Sequence, residues 1–258
     1  MWNKELEVAK KASIEAGERI MEIYGTEFDV EYKEDKSPLT AADKASNAVI
    51  VAALREAFPD YAILSEEEKD SKERLSNDLC FVVDPLDGTK EFLKRNGQFT
   101  VNIALAHKHR TVMGVIYVPV TGELFYASEG DGSFLKTSDG TVTKLSVSNN
   151  TDKSDLSAVV SGSHPCEEME DMIKRYDIKK LVRMGSSLKG CLVAKGEADI
   201  YFRHNPTMEW DTAAMQCIVE EAGGIFKQMD DTDMLYNRED SLNAKGFYAI
   251  NKEENRLR

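Results

Sequence analysis

The sequence contains no long apolar run. No segment approaches the roughly 18 consecutive apolar residues that a membrane-spanning helix needs. The first residues, from Met1 to Glu5, already carry charge and lead into a helical pattern, which differs from the apolar core of a signal peptide. We therefore expect neither a transmembrane segment nor a secretory signal.

Cysteine and positive charge are also scarce. The 258 residues include 4 cysteines, Cys80, Cys166, Cys191 and Cys217, and none forms a C-x-x-C pair. We expect no disulfide framework, which favours the reducing cytoplasm as the location. With 33 Lys and Arg against 46 Asp and Glu, the formal net charge is −13 at pH 7. This balance argues against nucleic acid or an anionic membrane as the main partner.

The most informative stretch is a pair of aspartates that follows a short apolar run. Phe81–Val83 predicts a buried strand, and we expect Pro85 to end its ladder because proline has no backbone N–H to donate. Asp84 and Asp87 then stand on a rigid turn with the Leu86 carbonyl between them. Oxygen donors of this kind suit a hard divalent cation.

The next two residues offer a phosphate site. Gly88 and Thr89 lie at a predicted helix start, where free backbone N–H groups and the helix dipole favour a phosphate. The alternative is that the segment from Asp84 to Gly88 is only a surface turn, because Asp, Pro and Gly dominate turns for local reasons. The buried strand immediately before Asp84 favours a cleft instead.

Three further acidic residues each have a functional and a structural interpretation. Glu66 comes directly after an apolar run, Ala62–Leu64, although acidic stretches of this kind are usually solvated loops. Asp43 follows Thr40 by three residues at a predicted helix start, and helix capping explains this pair by itself. Asp211 also opens a predicted helix, where an N-cap role is the simpler alternative.

The second half of the chain alternates strand and helix patterns in the order βαβαβ. This order predicts an α/β unit in which ligands gather at the carboxyl ends of the strands. A polar segment ends near residue 155. We therefore predict an N-terminal α+β domain over residues 1–155, with most of the acidic candidates, and a C-terminal α/β domain over residues 156–258.

Two distant motifs resemble signatures of the inositol monophosphatase superfamily. Residues 84–89, D-P-L-D-G-T, are similar to its D-P-[IL]-D-G-[ST] signature, and residues 210–214, W-D-T-A-A, followed by E-A-G-G are similar to a second one. The continuation from Thr89 to Leu105 more closely resembles the CysQ-type 3'(2'),5'-bisphosphate nucleotidases of that superfamily. The resemblance implies an α/β fold, a layered αβαβα sandwich of α+β character with the metal site between its halves.

The resemblance also implies a metal centre. Its ligands would be Glu66, Asp84, the Leu86 carbonyl, Asp87 and Asp211. An all-oxygen set without His or Cys favours Mg2+ or Mn2+ over Zn2+ or copper. So many carboxylates carry more charge than one Mg2+ needs. We therefore expect about two or three Mg2+ ions, replaceable by Mn2+, with two of them about 4 Å apart and bridged by Asp84.

Catalytic and substrate-binding roles follow from the same resemblance. Asp43 and Thr89 would orient a metal-activated water, with Glu66 as a third catalytic residue. The substrate would contact Leu86, Asp87, Gly88, Thr89, His164, Ser186, Ser187, Lys189, Arg203 and Asp211. Solvated surface is the alternative for Lys189 and Arg203, and a plain loop position is the alternative for His164.

Two positions depart from the pattern of close relatives on the nucleotide side. Gly162 stands where they usually have an arginine between two serines. Gly190 stands where they usually have a bulky residue after the loop lysine. Neither departure touches the expected metal ligands.

The implied activity is Mg2+-dependent hydrolysis of adenosine 3',5'-bisphosphate to AMP and phosphate. The sulfated precursor, 3'-phosphoadenylyl sulfate, is a second candidate substrate, and the resemblance adds a role in sulfur assimilation and sensitivity to lithium. Two alternatives remain open, an inositol monophosphatase-like phosphomonoesterase and a non-catalytic acidic metal-binding protein. We expect a monomer rather than a homodimer, located in the cytoplasm either free or peripherally at the inner face of the cell membrane.

Overall fold

The computed structural model describes residues 1–27, 30–32, 38–162 and 166–257. Its helices are α1 (Asn3–Tyr24), α2 (Ala41–Ala57), α3 (Thr89–Leu93), α4 (Glu167–Arg175), α5 (Leu188–Ala194) and α6 (Glu209–Glu221). The strands of the first half are β1 (Val30–Tyr32), β2 (Pro38–Thr40), β3 (Ala62–Ser65), β4 (Leu79–Asp87), β5 (Thr100–His107), β6 (Arg110–Val118), β7 (Glu123–Ser128), β8 (Gly132–Lys136) and β9 (Val142–Lys144). Those of the second half are β10 (Ser157–Ser161), β11 (Lys180–Met184), β12 (Ile200–Arg203), β13 (Thr207–Met208), β14 (Ile225–Gln228), β15 (Leu242–Asn243) and β16 (Phe247–Ile250).

A seven-stranded sheet organises the first half, in the order β3-β4-β5-β6-β7-β8-β9. Strands β3 and β4 are parallel, and each later neighbour is antiparallel. Helices α1 and α2 pack on one face of this sheet. Leu6 and Ile20 of α1 and Ile50 of α2 share a cluster with Phe81 and Ile103 of the strands. The apolar stripe of α1 is buried as its spacing predicts.

The prediction that Pro85 ends the strand is wrong. Strand β4 continues to Asp87, but its pairing with β5 is irregular between Asp84 and Asp87. Pro85 cannot donate a ladder hydrogen bond, so the pairing is interrupted there and resumes where Asp87 faces Thr100. This irregularity bends the strand end that carries both aspartates.

A five-stranded sheet organises the second half, in the order β11-β10-β12-β16-β14. Strands β11, β10 and β12 are parallel, and β16 runs antiparallel to its neighbours β12 and β14. The predicted βαβαβ order is therefore confirmed over β10 to β12. Because the three strands are parallel, their carboxyl ends lie at one edge of the sheet.

Three apolar clusters pack the layers of the molecule against one another. The central cluster joins the second face of the seven-stranded sheet, helices α5 and α6, and one face of the five-stranded sheet. Another cluster packs the outer face of the five-stranded sheet against α4 through Met169 and Met172. The order is helices, sheet, helices, sheet, helix, which confirms the predicted αβαβα sandwich. The domain boundary near residue 155 stays a prediction, because the central cluster contains residues from both sides of it.

All four cysteines are free thiols, as their spacing predicts. Within the described ranges, no helix is both long enough and apolar enough to cross a lipid bilayer.

Candidate functional site

The predicted metal ligands meet in one cleft between the two sheets. The cleft has a volume of about 270 Å³. Of the predicted site residues, Glu66, Asp84, Leu86, Asp87, Gly88, Thr89, Ser186, Ser187, Lys189, Arg203 and Asp211 all line it. His164 lies outside the described residues. The sites proposed from distant parts of the sequence are therefore parts of a single cavity.

Three carboxylates form the centre of this cleft. Asp84 and Asp87 come from the irregular end of β4, and Asp211 comes from the first turn of α6. One oxygen from each lies within 4.8 Å of the others. Glu66 follows β3, the parallel neighbour of β4, so parallel pairing brings its carboxylate to the same sheet edge.

Asp211 does not occupy the N-cap position that the simpler sequence interpretation gave it. Helix α6 begins at Glu209 with Met208 as its N-cap, and Asp211 is the third helical residue. Its carboxylate accepts the backbone N–H of Met208 at 2.6 Å. Asp211 thus satisfies an unpaired N–H at the helix start and still lines the cleft.

The electrostatics of the cluster fit a multivalent cation. Burial, and then the neighbouring Glu66 and Asp87 carboxylates, raise the pKa of Asp84 well above its usual range. Burial and the Asp87 carboxylate raise the pKa of Asp211 to about 7. Buried carboxylates that repel one another must bind either protons or a cation. Because the donors are all oxygens, the residues present suit a hard divalent ion.

A hydrogen-bond network behind the carboxylates fixes Asp87. The Ser187 hydroxyl donates to Asp87 Oδ2 at 2.7 Å, and the Asn102 amide donates to Ser187 Oγ at 2.9 Å. Asn102 itself receives a hydrogen bond from the Thr100 hydroxyl at 2.9 Å. Sequence reasoning gave Asn102 no role. The available signal was a single polar amide within the apolar run of β5, where it is fully buried.

Asp43 makes the predicted capping contact and also contacts Thr89. Its Oδ2 accepts the backbone N–H of Thr40 at 2.8 Å and the Thr40 hydroxyl at 2.7 Å, which is the predicted capping interaction. Its Oδ1 accepts the Thr89 hydroxyl at 3.2 Å. Asp43 does not line the cleft, whereas Thr89 does. Asp43 is therefore connected to the cleft through its hydrogen bond with the Thr89 hydroxyl.

The turn from β4 into α3 requires glycine. Gly88 has φ of 96°, in the left-handed region. A Cβ at this position would lie 3.1 Å from the Gln98 carbonyl oxygen and 3.2 Å from Ser186 Cβ. The backbone of the first half thus closely approaches the loop of the second half that carries Ser186.

Basic residues line the cleft together with the carboxylates. The Lys189 side chain is 7% exposed, and its Nζ donates to the Ser186 carbonyl at 2.5 Å. Burial lowers the pKa of Lys189 to about 8, although the nearby Asp87 carboxylate opposes the shift. Arg203 lies close enough to lower that pKa further. The alternative interpretation of Lys189 as solvated surface is therefore wrong.

Two polar atoms of this part of the cleft lining have no hydrogen-bond partner among the described residues. Within the described part of the chain, the buried Ser186 hydroxyl and Arg203 Nε have no hydrogen-bond partner. Ser186 also has φ of 44°, an uncommon conformation for serine. Unpaired buried donors beside a cavity are suited to an acceptor that enters it.

The structure accounts for one of the two departures from the sequence pattern. A Cβ at Gly190 would lie 2.2 Å from Met215 Cγ, so the Met215 side chain occupies the space that a larger residue would need. Met215 also lines the cleft. A Cβ at Gly162 would meet nothing within 4 Å, and nothing in the structure explains the glycine there.

The layered fold and its acidic cleft define an α/β protein with a candidate divalent-cation centre. Residues 1–257 match the inositol monophosphatase family. The 3'(2'),5'-bisphosphate nucleotidase CysQ of Salmonella typhimurium is 40% identical over 235 residues, which is 90% of this chain and 94% of that protein. The crystal structure of CysQ from Bacteroides thetaiotaomicron has a TM-score of 0.84 and 40% identity, covering 96% of this chain and 98% of that one.

An IMPase from Thermotoga maritima is also similar, with a TM-score of 0.80 and 26% identity over 96% of this chain and 92% of that one. The chain therefore belongs to the inositol monophosphatase family. The family resemblance and the fold that it implied are confirmed.

Proposed function

We propose that the protein is a Mg2+-dependent 3'(2'),5'-bisphosphate nucleotidase that hydrolyses adenosine 3',5'-bisphosphate to AMP and phosphate. One observation carries this proposal. The cleft is lined by two sets of charged groups, a carboxylate cluster (the acidic side) and a buried Lys189 with Arg203 (the basic side). A substrate with two phosphates can place one at each side. The CysQ relatives, which are named for this activity, support the same substrate class.

The acidic side would hold the metal. The donors are the carboxylates of Glu66, Asp84, Asp87 and Asp211 and the Leu86 carbonyl oxygen. Bound Mg2+ supplies charge neutralisation and water activation for phosphoryl transfer. The hydrogen bonds of Ser187 and Asn102 hold Asp87 in one orientation. Less conformational entropy is therefore lost when a metal ion binds to the site.

Thr89 and Asp43 would orient the attacking water. The Thr89 hydroxyl donates a hydrogen bond to Asp43, so its oxygen lone pairs are available as acceptors. A water that donates to Thr89 Oγ1 has its own oxygen lone pair free to attack phosphorus. The backbone N–H groups of Gly88 and Thr89 would hold the reacting phosphate, with Glu66 as the third catalytic residue.

The basic side would hold the second phosphate and the ribose. Lys189 Nζ, Arg203 and the unpaired Ser186 hydroxyl can all donate to phosphate oxygens, with Ser187 next to them. His164 stays a predicted contact of this kind. The sulfated precursor 3'-phosphoadenylyl sulfate presents a 3'-phosphate to the same groups, so we include it as a second substrate.

The competing functions predict different results. An inositol monophosphatase-like enzyme has a substrate with one phosphate and makes no use of Lys189. A non-catalytic metal-binding protein has no use for the Thr89–Asp43 pair. We therefore prefer the nucleotidase to both, and we propose a monomeric cytoplasmic enzyme with about two or three Mg2+ ions.

Product analysis tests the proposal. The purified protein is incubated with adenosine 3',5'-bisphosphate in Mg2+, and AMP and phosphate are quantified by chromatography. We expect equal amounts of both products, and none in EDTA or with the Asp84→Asn variant. Production of adenosine 3'-phosphate instead of AMP, or no release of phosphate, would contradict it.

A further inference from the structure

A buried polar network lies behind the cleft and includes none of its lining residues. Its central members are Arg74, Glu209 and Asn237, which are 5%, 0% and 3% exposed. None of the three lines the cavity, so none can touch a substrate bound there. Burying two charged groups is costly unless each is paired and hydrogen-bonded with good geometry. The contacts that satisfy Arg74 and Glu209 connect distant segments of the chain.

On one side, the network holds the loop that follows Glu66. The Arg74 guanidinium binds both carboxylate oxygens of Asp70, from Nε at 3.1 Å and from Nη2 at 2.8 Å. Asp70 lies in the same loop as Glu66, whose backbone N–H is bound to the Val83 carbonyl of β4 at 3.2 Å. The loop is thus anchored at both ends, once to the sheet and once to Arg74.

Arg74 also binds a segment of the second half, residues 237–241. Its Nη1 donates to Asn237 Oδ1 at 2.9 Å, and its Nη2 lies 3.3 Å from the Ser241 hydroxyl. The Asn237 amide donates back to the Arg74 carbonyl at 3.1 Å. The planar guanidinium of Arg74 therefore donates hydrogen bonds to two segments of the chain at once, a geometry that the ammonium group of a lysine cannot reproduce.

On the other side, the same segment is bound to the start of α6. The Glu209 carboxylate accepts the backbone N–H of Asn237 at 2.5 Å and that of Arg238 at 3.0 Å. The backbone N–H of Glu209 donates to the Ser241 carbonyl at 2.9 Å. Glu209 and Asp211 are both in the first turn of α6. Movement of the segment would therefore move Asp211.

We propose that Arg74 is a positioning residue that sets the Glu66 carboxylate relative to Asp211 by clamping the Glu66 loop onto residues 237–241. Glu66 follows strand β3 of the seven-stranded sheet and Asp211 lies in helix α6, and this network connects their supporting segments directly. A metal centre loses affinity when its ligands are free to separate, since the ordering must then be done on binding. The inference rests on the proposed function, which places Glu66 and Asp211 at the metal.

The test measures Mn2+ binding directly, with free Mn2+ quantified by electron paramagnetic resonance. Arg74→Lys retains the positive charge and loses the planar guanidinium, so we expect the Kd for Mn2+ to rise about tenfold or more. Arg55→Lys is the matched control. Arg55 pairs at 2.8 Å with Glu68, on the exposed side of the same loop, and makes no link to residues 237–241. We expect its Kd to stay within about twofold of wild type.

A second experiment distinguishes an effect on the position of Glu66 from a general destabilisation of the protein. If Arg74 acts through Glu66, Arg74→Lys should change the Kd less than about twofold in a Glu66→Gln background, because the positioned ligand is already gone. An equal effect of Arg74→Lys in both backgrounds would overturn the proposal, as would an unchanged Kd in the single variant. Should Arg74→Lys fail to fold by circular dichroism, Asp70→Asn weakens the same contact at a more exposed residue. The same rise is expected, and an unchanged Kd would overturn the proposal.

The wild-type result distinguishes the two claims. A wild-type protein that neither binds Mn2+ nor releases phosphate overturns the proposed function. A wild-type protein that does both, with Arg74→Lys and Asp70→Asn unchanged in Kd, overturns only the role of Arg74.

Discussion

The Thr89 hydroxyl donates a hydrogen bond to Asp43 Oδ1 at 3.2 Å, which connects the helix after β4 to the first turn of α2. Asp43 is 2% exposed and uses its second oxygen to cap α2 through Thr40. One carboxylate thus serves the fold with one oxygen and the cleft with the other. The proton of Thr89 is directed away from the cleft, so the hydroxyl can act as an acceptor there.

Replacing Thr89 by valine keeps the shape of the side chain and removes this acceptor. We expect Thr89→Val to lower kcat for adenosine 3',5'-bisphosphate by about 10²- to 10⁴-fold with little change in KM, as for loss of a proton-transfer group. Thr89→Ser, which keeps the hydroxyl, should restore most of the rate. Steady-state kinetics of the three proteins provide the check, and a valine variant with normal kcat would disprove the role of Thr89.

Removing the Lys189 charge should affect only substrates with two phosphates. Lys189→Met keeps the length of the side chain but loses a charge-assisted hydrogen bond, so KM for adenosine 3',5'-bisphosphate should rise about 10- to 100-fold. Kinetics with inositol 1-phosphate should barely change. Lys195→Met is a suitable control, because Lys195 pairs with Glu197 at 2.7 Å and does not line the cleft. Equal effects on both substrates would contradict a second phosphate site.

The lowered pKa of Lys189 predicts a pH dependence. Its pKa of about 8 lies below the ordinary lysine value, because burial disfavours the charged form. As the pH rises through 8, the free enzyme loses this charge, so kcat/KM for the bisphosphate should fall above about pH 8. Rate profiles for wild type and Lys189→Met, recorded from acidic to alkaline pH, test this. The decline in kcat/KM above about pH 8 should be absent in Lys189→Met. A decline that persists in this variant would show that another group causes it.

Removing the metal should make stability depend on pH in a defined direction. The pKa of Asp211 is raised to about 7 and that of Asp84 is raised as well, so both bind protons more tightly in the folded state. Their contribution to stability is therefore present below the ordinary carboxyl pKa and is lost as pH rises through about 7. In EDTA, we expect a lower Tm at pH 8 than at pH 5.5.

Mg2+ competes with protons for the same carboxylates, so it should raise Tm more at pH 8 than at pH 5.5. Thermal unfolding at both pH values, with and without Mg2+, measures the difference. Asp211→Asn should reduce this difference in the Mg2+-induced rise of Tm. A Mg2+-induced rise in Tm that is equal at the two pH values would contradict the direction of these pKa shifts.

The sequence pointed to the carboxylates by two routes. Asp84 and Asp87 follow a buried-strand pattern that favours a cleft, whereas Glu66 and Asp211 have simpler local interpretations and were assigned to the metal through the family resemblance. The roles of Asn102 and Arg74 were not readable, because their partners lie far away in the chain and are brought close only by the packing of the two sheets.

Two other features also depended on tertiary packing. The β4 strand passes Pro85 because β5 resumes its pairing at Asp87, which local propensity does not predict. Similarly, Gly190 cannot be understood without Met215, a residue of α6 that fills the space next to it. Local patterns and the family resemblance thus identified the candidate ligands, whereas the contacts that support these residues are visible only in the folded structure.

The most direct test of the account compares phosphate release from adenosine 3',5'-bisphosphate and from inositol 1-phosphate by the same purified protein in Mg2+. We expect a preference of about tenfold or more in kcat/KM for the nucleotide, because only that substrate engages Lys189 and Arg203 as well as the carboxylate cluster. A preference for inositol 1-phosphate would contradict it.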